Sequence, residues 1–65
     1  VNAPRVRLTP AQRKALERYK FEERQFDRYM GSVFVNAHGQ RKHEDRVTAA
    51  YQECKRLGMT AEHGL

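Results

Sequence analysis

At 65 residues the chain is one domain or part of one, and a chain this short buries only about 60% of the surface its unfolded form exposes, so a staple or a partner is expected. Cys54 is the only cysteine, which excludes an intrachain disulfide and fits a reducing, cytoplasmic compartment. Thirteen Lys and Arg, nine of them Arg, against eight Asp and Glu give a formal charge of +5, which favours an anionic partner, and no apolar run approaches the roughly 20 residues that span a bilayer.

The opening "VNAPRVRL", residues 1–8, is basic, interrupted by Pro4 and without the apolar centre of a signal peptide, so it reads as an N-terminal arm. Its "RVRLT" alternates polar and apolar residues at the period of a strand. A helix start follows in "LTPAQ". Thr9 is the N-cap, Pro10 stands where its missing N–H costs nothing, and Gln12 occupies the return position of a capping box. Stepping about 100° per residue puts Leu16, Tyr19, Phe26 and Met30 on one face, and the same count past Gly31 adds Val33, Phe34 and Ala37. That phase agreement predicts one helix from Pro10 to about Ala37, stopped by Gly39. The opposing signals are Gly31, which costs about 1 kcal/mol in a helix interior relative to Ala, and "SVFV", which is rich in strand formers.

Helix 2 is defined by Val47, Ala50, Cys54 and Leu57 at the three–four spacing of a buried seam, with His43 and Tyr51 at its margins. Glu44 and Asp45 near its start, and Lys55 and Arg56 in its last turn, match the macrodipole. Gly58 ends it, and Met59 folds back on Cys54 as a Schellman cap places it. The tail, residues 59–65, can start one more turn at Thr60. The predicted fold is all-α, a helical hairpin over residues 9–58 with a long basic amphipathic helix 1 and a shorter helix 2. Helix 2 alone cannot shield Tyr19, Phe26, Met30, Val33 and Phe34, so a homodimer through helix 1 is expected, with Phe21 as a further interface residue.

The far side of helix 1 gathers Arg13, Lys14, Lys20, Arg24 and Arg28 in one outward sector, with Arg18 at its edge and Glu17 as the main acidic intruder. Arg5 and Arg7 extend the charge into the arm. Such a face can follow phosphates with salt-sensitive affinity; alternatively it is a solvated face laced by pairs such as Arg13 with Glu17 and Arg24 with Asp27. Phe21 falls among these cations, where it can stack on a base or anchor a protein contact, or pack on helix 2 or a second subunit. Glu23 falls on the apolar face between Tyr19 and Phe26 and needs a partner, for which Arg46 at the edge of helix 2 is the expected one.

His38, His43, His63 and Cys54 lack the short spacings of a zinc site. There is no glycine-framed serine, no exposed Cys–His pair and no phosphate-cradling glycine loop. A two-helix hairpin also lacks the concave pocket of small-molecule chemistry, so neither a cofactor nor enzymatic activity is expected.

The stretch "RVRLTPAQRKALERY" resembles the start of ribbon–helix–helix repressors, in which a short strand pairs with its dimer mate and its polar side chains enter the major groove. The resemblance implies Arg5, Arg7 and Thr9 as readers of bases; the stretch from Pro10 to Gly39 departs from that family's two short helices. The function expected from the sequence is non-enzymatic binding of nucleic acid, DNA before RNA, through the arm and the polar face of helix 1. The alternative is an adaptor, assembly subunit or small inhibitor that docks on an acidic protein surface, with Phe21, Tyr29 and Phe34 as aromatic anchors. A membrane surface is disfavoured, because the polar side carries acids and folding needs the apolar face.

Overall fold

The computed structural model describes residues 6–65, so the expected base reader Arg5 lies outside the described residues. Two helices, α1 (Pro10–Met30) and α2 (Ala37–Arg56), pack against each other and are followed by a short 3-10 turn, Ala61–His63. The α1 start is the capping box read from the sequence: Thr9 Oγ1 accepts from the Gln12 N–H at 3.1 Å, and Gln12 Oε1 accepts from the Thr9 N–H at 3.0 Å. Gln12 Nε2 also donates to the Leu57 carbonyl at 3.0 Å, tying the first turn of α1 to the last of α2 and making the pair antiparallel.

The long helix through Gly31 is not formed. α1 stops at Met30 with Gly31 as its C-cap, and α2 begins at Ala37, capped by the Asn36 side chain, which accepts from the Gly39 N–H at 2.8 Å. Gly39 therefore lies in the first turn of α2 instead of ending α1. The helices are 21 and 20 residues long, not long and short. Nearly equal lengths let α2 cover α1 to its last turn, whereas a helix running on past Gly31 would leave its end without a facing partner. The stretch "SVFV" becomes the turn. Ser32 Oγ accepts from the Phe34 N–H at 3.0 Å, and Val33 and Phe34 stand 90% and 80% exposed. Their phase agreement with helix 1 is thus a coincidence of three residues that do not belong to it.

Tyr29 secures the turn. Its hydroxyl accepts from the Asn36 N–H at 3.0 Å and donates to the Asn36 carbonyl at 3.3 Å, while its ring stacks on His43 with centroids 4.7 Å apart. Gly39 is needed here because a Cβ would run into the Tyr29 ring and hydroxyl.

With α1 ending at Met30, its buried face is rotated from the one predicted. Gln12, Ala15, Tyr19, Glu22, Phe26 and Tyr29 face Gln40, His43, Val47, Ala50, Cys54 and Leu57, both sets at alternating three–four spacing and none of them exposed. Leu16 packs at the edge of this seam, and Met30 is 41% exposed. The α2 seam is the one read from the sequence.

The fully buried side chains lie at the end of the hairpin away from the turn. Cys54 and Met59 are 0% and 1% exposed, and with Ala15 they gather Leu8, Leu16, Tyr19, Leu57 and Leu65. Gly58 at φ +77 closes a Schellman cap: the Met59 N–H donates to the Cys54 carbonyl at 3.1 Å and the Gly58 N–H to that of Lys55 at 3.0 Å. Thr60 then starts the expected extra turn, its N–H donating to His63 Nδ1 at 3.1 Å. The result brings Leu65 back onto the core, so the tail supplies packing that two helices lack.

Candidate nucleic-acid interface

α1 presents its basic residues as a line because its capped start and its seam set its rotation. Arg13, Lys14, Arg24 and Arg28 are exposed, Lys20 is half-buried, and Arg7 is exposed just before the helix. From Arg13 to Arg28 the line is about 22 Å long at 1.5 Å per residue. Carboxylates do not neutralise it as the pairing alternative requires: among the described residues neither Arg13 with Glu17 nor Arg24 with Asp27 lies within ion-pair distance. The pairs formed are Arg18 with Glu22 at 3.5 Å, Lys20 with Glu23 at 4.0 Å, and Arg56 with Glu53. Lys20 is further engaged over the Tyr19 ring, 5.8 Å from its centroid. Arg13, Lys14, Arg24 and Arg28 thus keep charge available to an external anion.

The earlier start of α2 adds a second set. Arg41, Lys42 and Arg46 are exposed on α2. The N-cap signal in "VNAHG" could have placed them, since Asn36 stands three residues before the N–H it caps.

The acidic residue in the seam is Glu22, not Glu23. Glu22 is 6% exposed and held by Arg18, whereas Glu23 stands at the rim beside Lys20 and Tyr19, not against Arg46. Burial, and secondarily the Glu23 carboxylate, push the Tyr19 phenol above its ordinary range, and its ring packs against Tyr51 at 5.5 Å. The Cys54 thiol is likewise pushed up, first by burial and then by Glu53. Glu53 grips Arg56 in a two-point contact that lowers the carboxyl and raises the guanidinium. Among the described residues no three His, Cys, Asp or Glu side chains converge to hold a metal ion.

The expected interface residues separate. Tyr19 and Phe26 belong to the seam with α2, while Met30, Val33 and Phe34 are exposed around the turn. Phe21 is 48% exposed and lines an open groove of about 760 Å³ together with Lys14, Arg18 and Arg24. Residues 6–9 form no strand within this single chain, and the rest of the implied ribbon strand, with Arg5, lies outside the described residues. Among the described residues no helix is long and apolar enough to cross a membrane. No protein-family model matches the chain, and no curated protein or solved structure is significantly similar to it.

Proposed function

We propose that the protein is a small non-enzymatic module that binds nucleic acid, duplex DNA in preference to RNA, by laying the outward face of α1 along the phosphate backbone. The observation that supports this is the exposed row Arg13, Lys14, Arg24 and Arg28 on α1, which forms no ion pair among the described residues. Arginine forks hold phosphate oxygens in pairs, and a row about 22 Å long reaches several successive phosphates. Arg5 and Arg7 carry the same contact into the arm. Phosphate contacts position without specifying, so any sequence preference comes from Arg5, Arg7 or Arg13. In this reading the exposed Met30, Val33 and Phe34 serve a homodimer that doubles the basic surface in the cytoplasm.

Anisotropy of a labelled generic duplex tests it. Four phosphate contacts give a salt slope of about −3.6, so affinity should fall roughly 10²-fold between 50 and 200 mM salt. The Arg24→Glu/Arg28→Glu variant should lose binding at low salt while its helical circular dichroism is retained. A wild type without affinity at low salt, or a charge-reversed variant that binds as well, refutes the proposal.

The second reading, a protein-interaction module, is favoured by one observation: Phe21 is half-exposed in a groove flanked by cations. Phe21→Ala would then weaken a protein contact more than a duplex contact.

A further inference from the structure

The hairpin covers one flank of its seam with its own chain, where Leu8, Met59 and Leu65 pack around Leu16, Tyr19 and Cys54. The other flank carries an open groove. Ala11, Ala15 and Ala50 floor it, Leu57 and Phe21 stand toward its two ends, and Lys14, Arg18, Arg24 and Arg56 outnumber Glu17 and Glu53 along its rim.

We propose that this groove docks an acidic amphipathic helix of a partner protein. Its walls dictate a helix: both are α-helices whose backbone groups bond internally, so no edge exists for a strand to extend, and the occupant must satisfy its own backbone and offer side chains. Its floor permits close approach, because alanine lets helix axes come to about 8 Å. From Ala11 to Arg24 the groove runs about 20 Å, the length of a helix of about 14 residues.

The rim sets the charge. Glu22 already engages Arg18 and Glu53 engages Arg56, which leaves Lys14 and Arg24 facing the occupant with Glu17 as the lone opposing acid of the lining. A second copy of this chain fits poorly, since α1 carries six cations against four acids and α2 five against three. A floor of alanine methyls with Phe21 at one end suits apolar anchors, not phosphates. The groove shares Lys14 and Arg24 with the nucleic-acid row, whereas Arg13, Lys20 and Arg28 do not line it, so the responses of those three residues separate the two readings.

The test is a titration of the isotope-labelled full chain, followed by NMR amide shifts. The probe is a synthetic peptide of about 14 residues with leucines at i, i+3, i+4 and i+7 and glutamates elsewhere. A peptide of the same composition, scrambled so that the leucines share no face, is the control. The proposal expects saturable shifts at Ala11, Ala15, Phe21 and Ala50, and a scrambled peptide at least about tenfold weaker. Ala11→Arg, at an exposed first-turn position, decides between fit and charge: it fills the floor while adding a cation. Groove docking predicts weaker binding of the patterned peptide, and simple charge attraction predicts stronger. The proposal is overturned by stronger binding to that variant, by equal binding of the scrambled peptide, by shifts confined to Arg13, Lys20 and Arg28, or by no binding. Shifts at the groove residues that grow with protein concentration alone would assign the groove to a second copy and also overturn it.

Discussion

Replacing Gly39 with alanine tests the bend at the centre of this fold. In an unobstructed helix the change gains up to about 1 kcal/mol. Here the new Cβ would meet Tyr29 Cζ at 2.6 Å, too close for both to stay. Moving the ring breaks the two hydrogen bonds between the Tyr29 hydroxyl and Asn36, each worth about 1 kcal/mol net, and disturbs the His43 stack, worth about 0.5–1.5 kcal/mol. Set against the propensity gain, the expected net loss is about 1–3 kcal/mol, which in a domain this small lowers Tm by roughly 5–20 °C. Thermal unfolding followed by circular dichroism measures it. A Gly39→Ala protein that melts higher than wild type would refute the reasoning, because Tyr29 then does not sit over Gly39 and the turn is not where it is described. Gly31→Ala is the control, not a second test of the bend. Gly31 has φ −85, and an added Cβ would meet only the Asp27 and Arg28 carbonyl oxygens, at an ordinary 3.7 Å, so alanine is tolerated there with or without a helix running on.

Glu22 and its partner should respond asymmetrically. Arg18→Ala strands a buried carboxylate and should cost about 1–3 kcal/mol, whereas Glu22→Leu should be neutral or stabilising in urea unfolding; the opposite order would place Glu22 in water. At Gly58, φ +77 makes alanine strained although no atom lies within 4 Å, so Gly58→Ala should lose about 1 kcal/mol, and an unchanged midpoint would argue against the Schellman cap. Cys54 is fully buried with its thiol pushed up, so a thiol reagent at neutral pH should label it only at the rate of unfolding; prompt labelling in native buffer would contradict the core. Cys54 and Tyr19 are both held neutral in the folded state. Their contribution is complete below the unfolded values of 9.0 and 10.0 and is lost as pH rises from each of these through the raised folded value, so the urea midpoint should fall above about pH 9; a midpoint flat to pH 10.5 would deny the burial of both.

Features that depend on residues close in the chain were legible from the sequence. The Thr9–Gln12 box, the Gly58–Met59 cap and the turn at Thr60 each close rings of three to six residues, and residue type settles such rings with little help from the rest of the fold. The α2 seam and the outward row Arg13, Lys14, Arg24 and Arg28 follow from spacing alone, because a helix turns by the same angle wherever it lies. The bend, the acidic seam residue and the role of the tail were decided only when distant segments met. Gly31 and Gly39 are equally able to end a helix on paper; Tyr29 reaching Asn36 and His43 across the turn chooses between them. Once the helix ends at Met30, Val33 and Phe34 no longer define its apolar face, and the seam rotates to bury Glu22 in place of Glu23. Met59 reaches the core through its local cap, but Leu65 joins it because two helices alone leave Cys54 and Leu16 uncovered, a shortage of buried surface that no local pattern encodes.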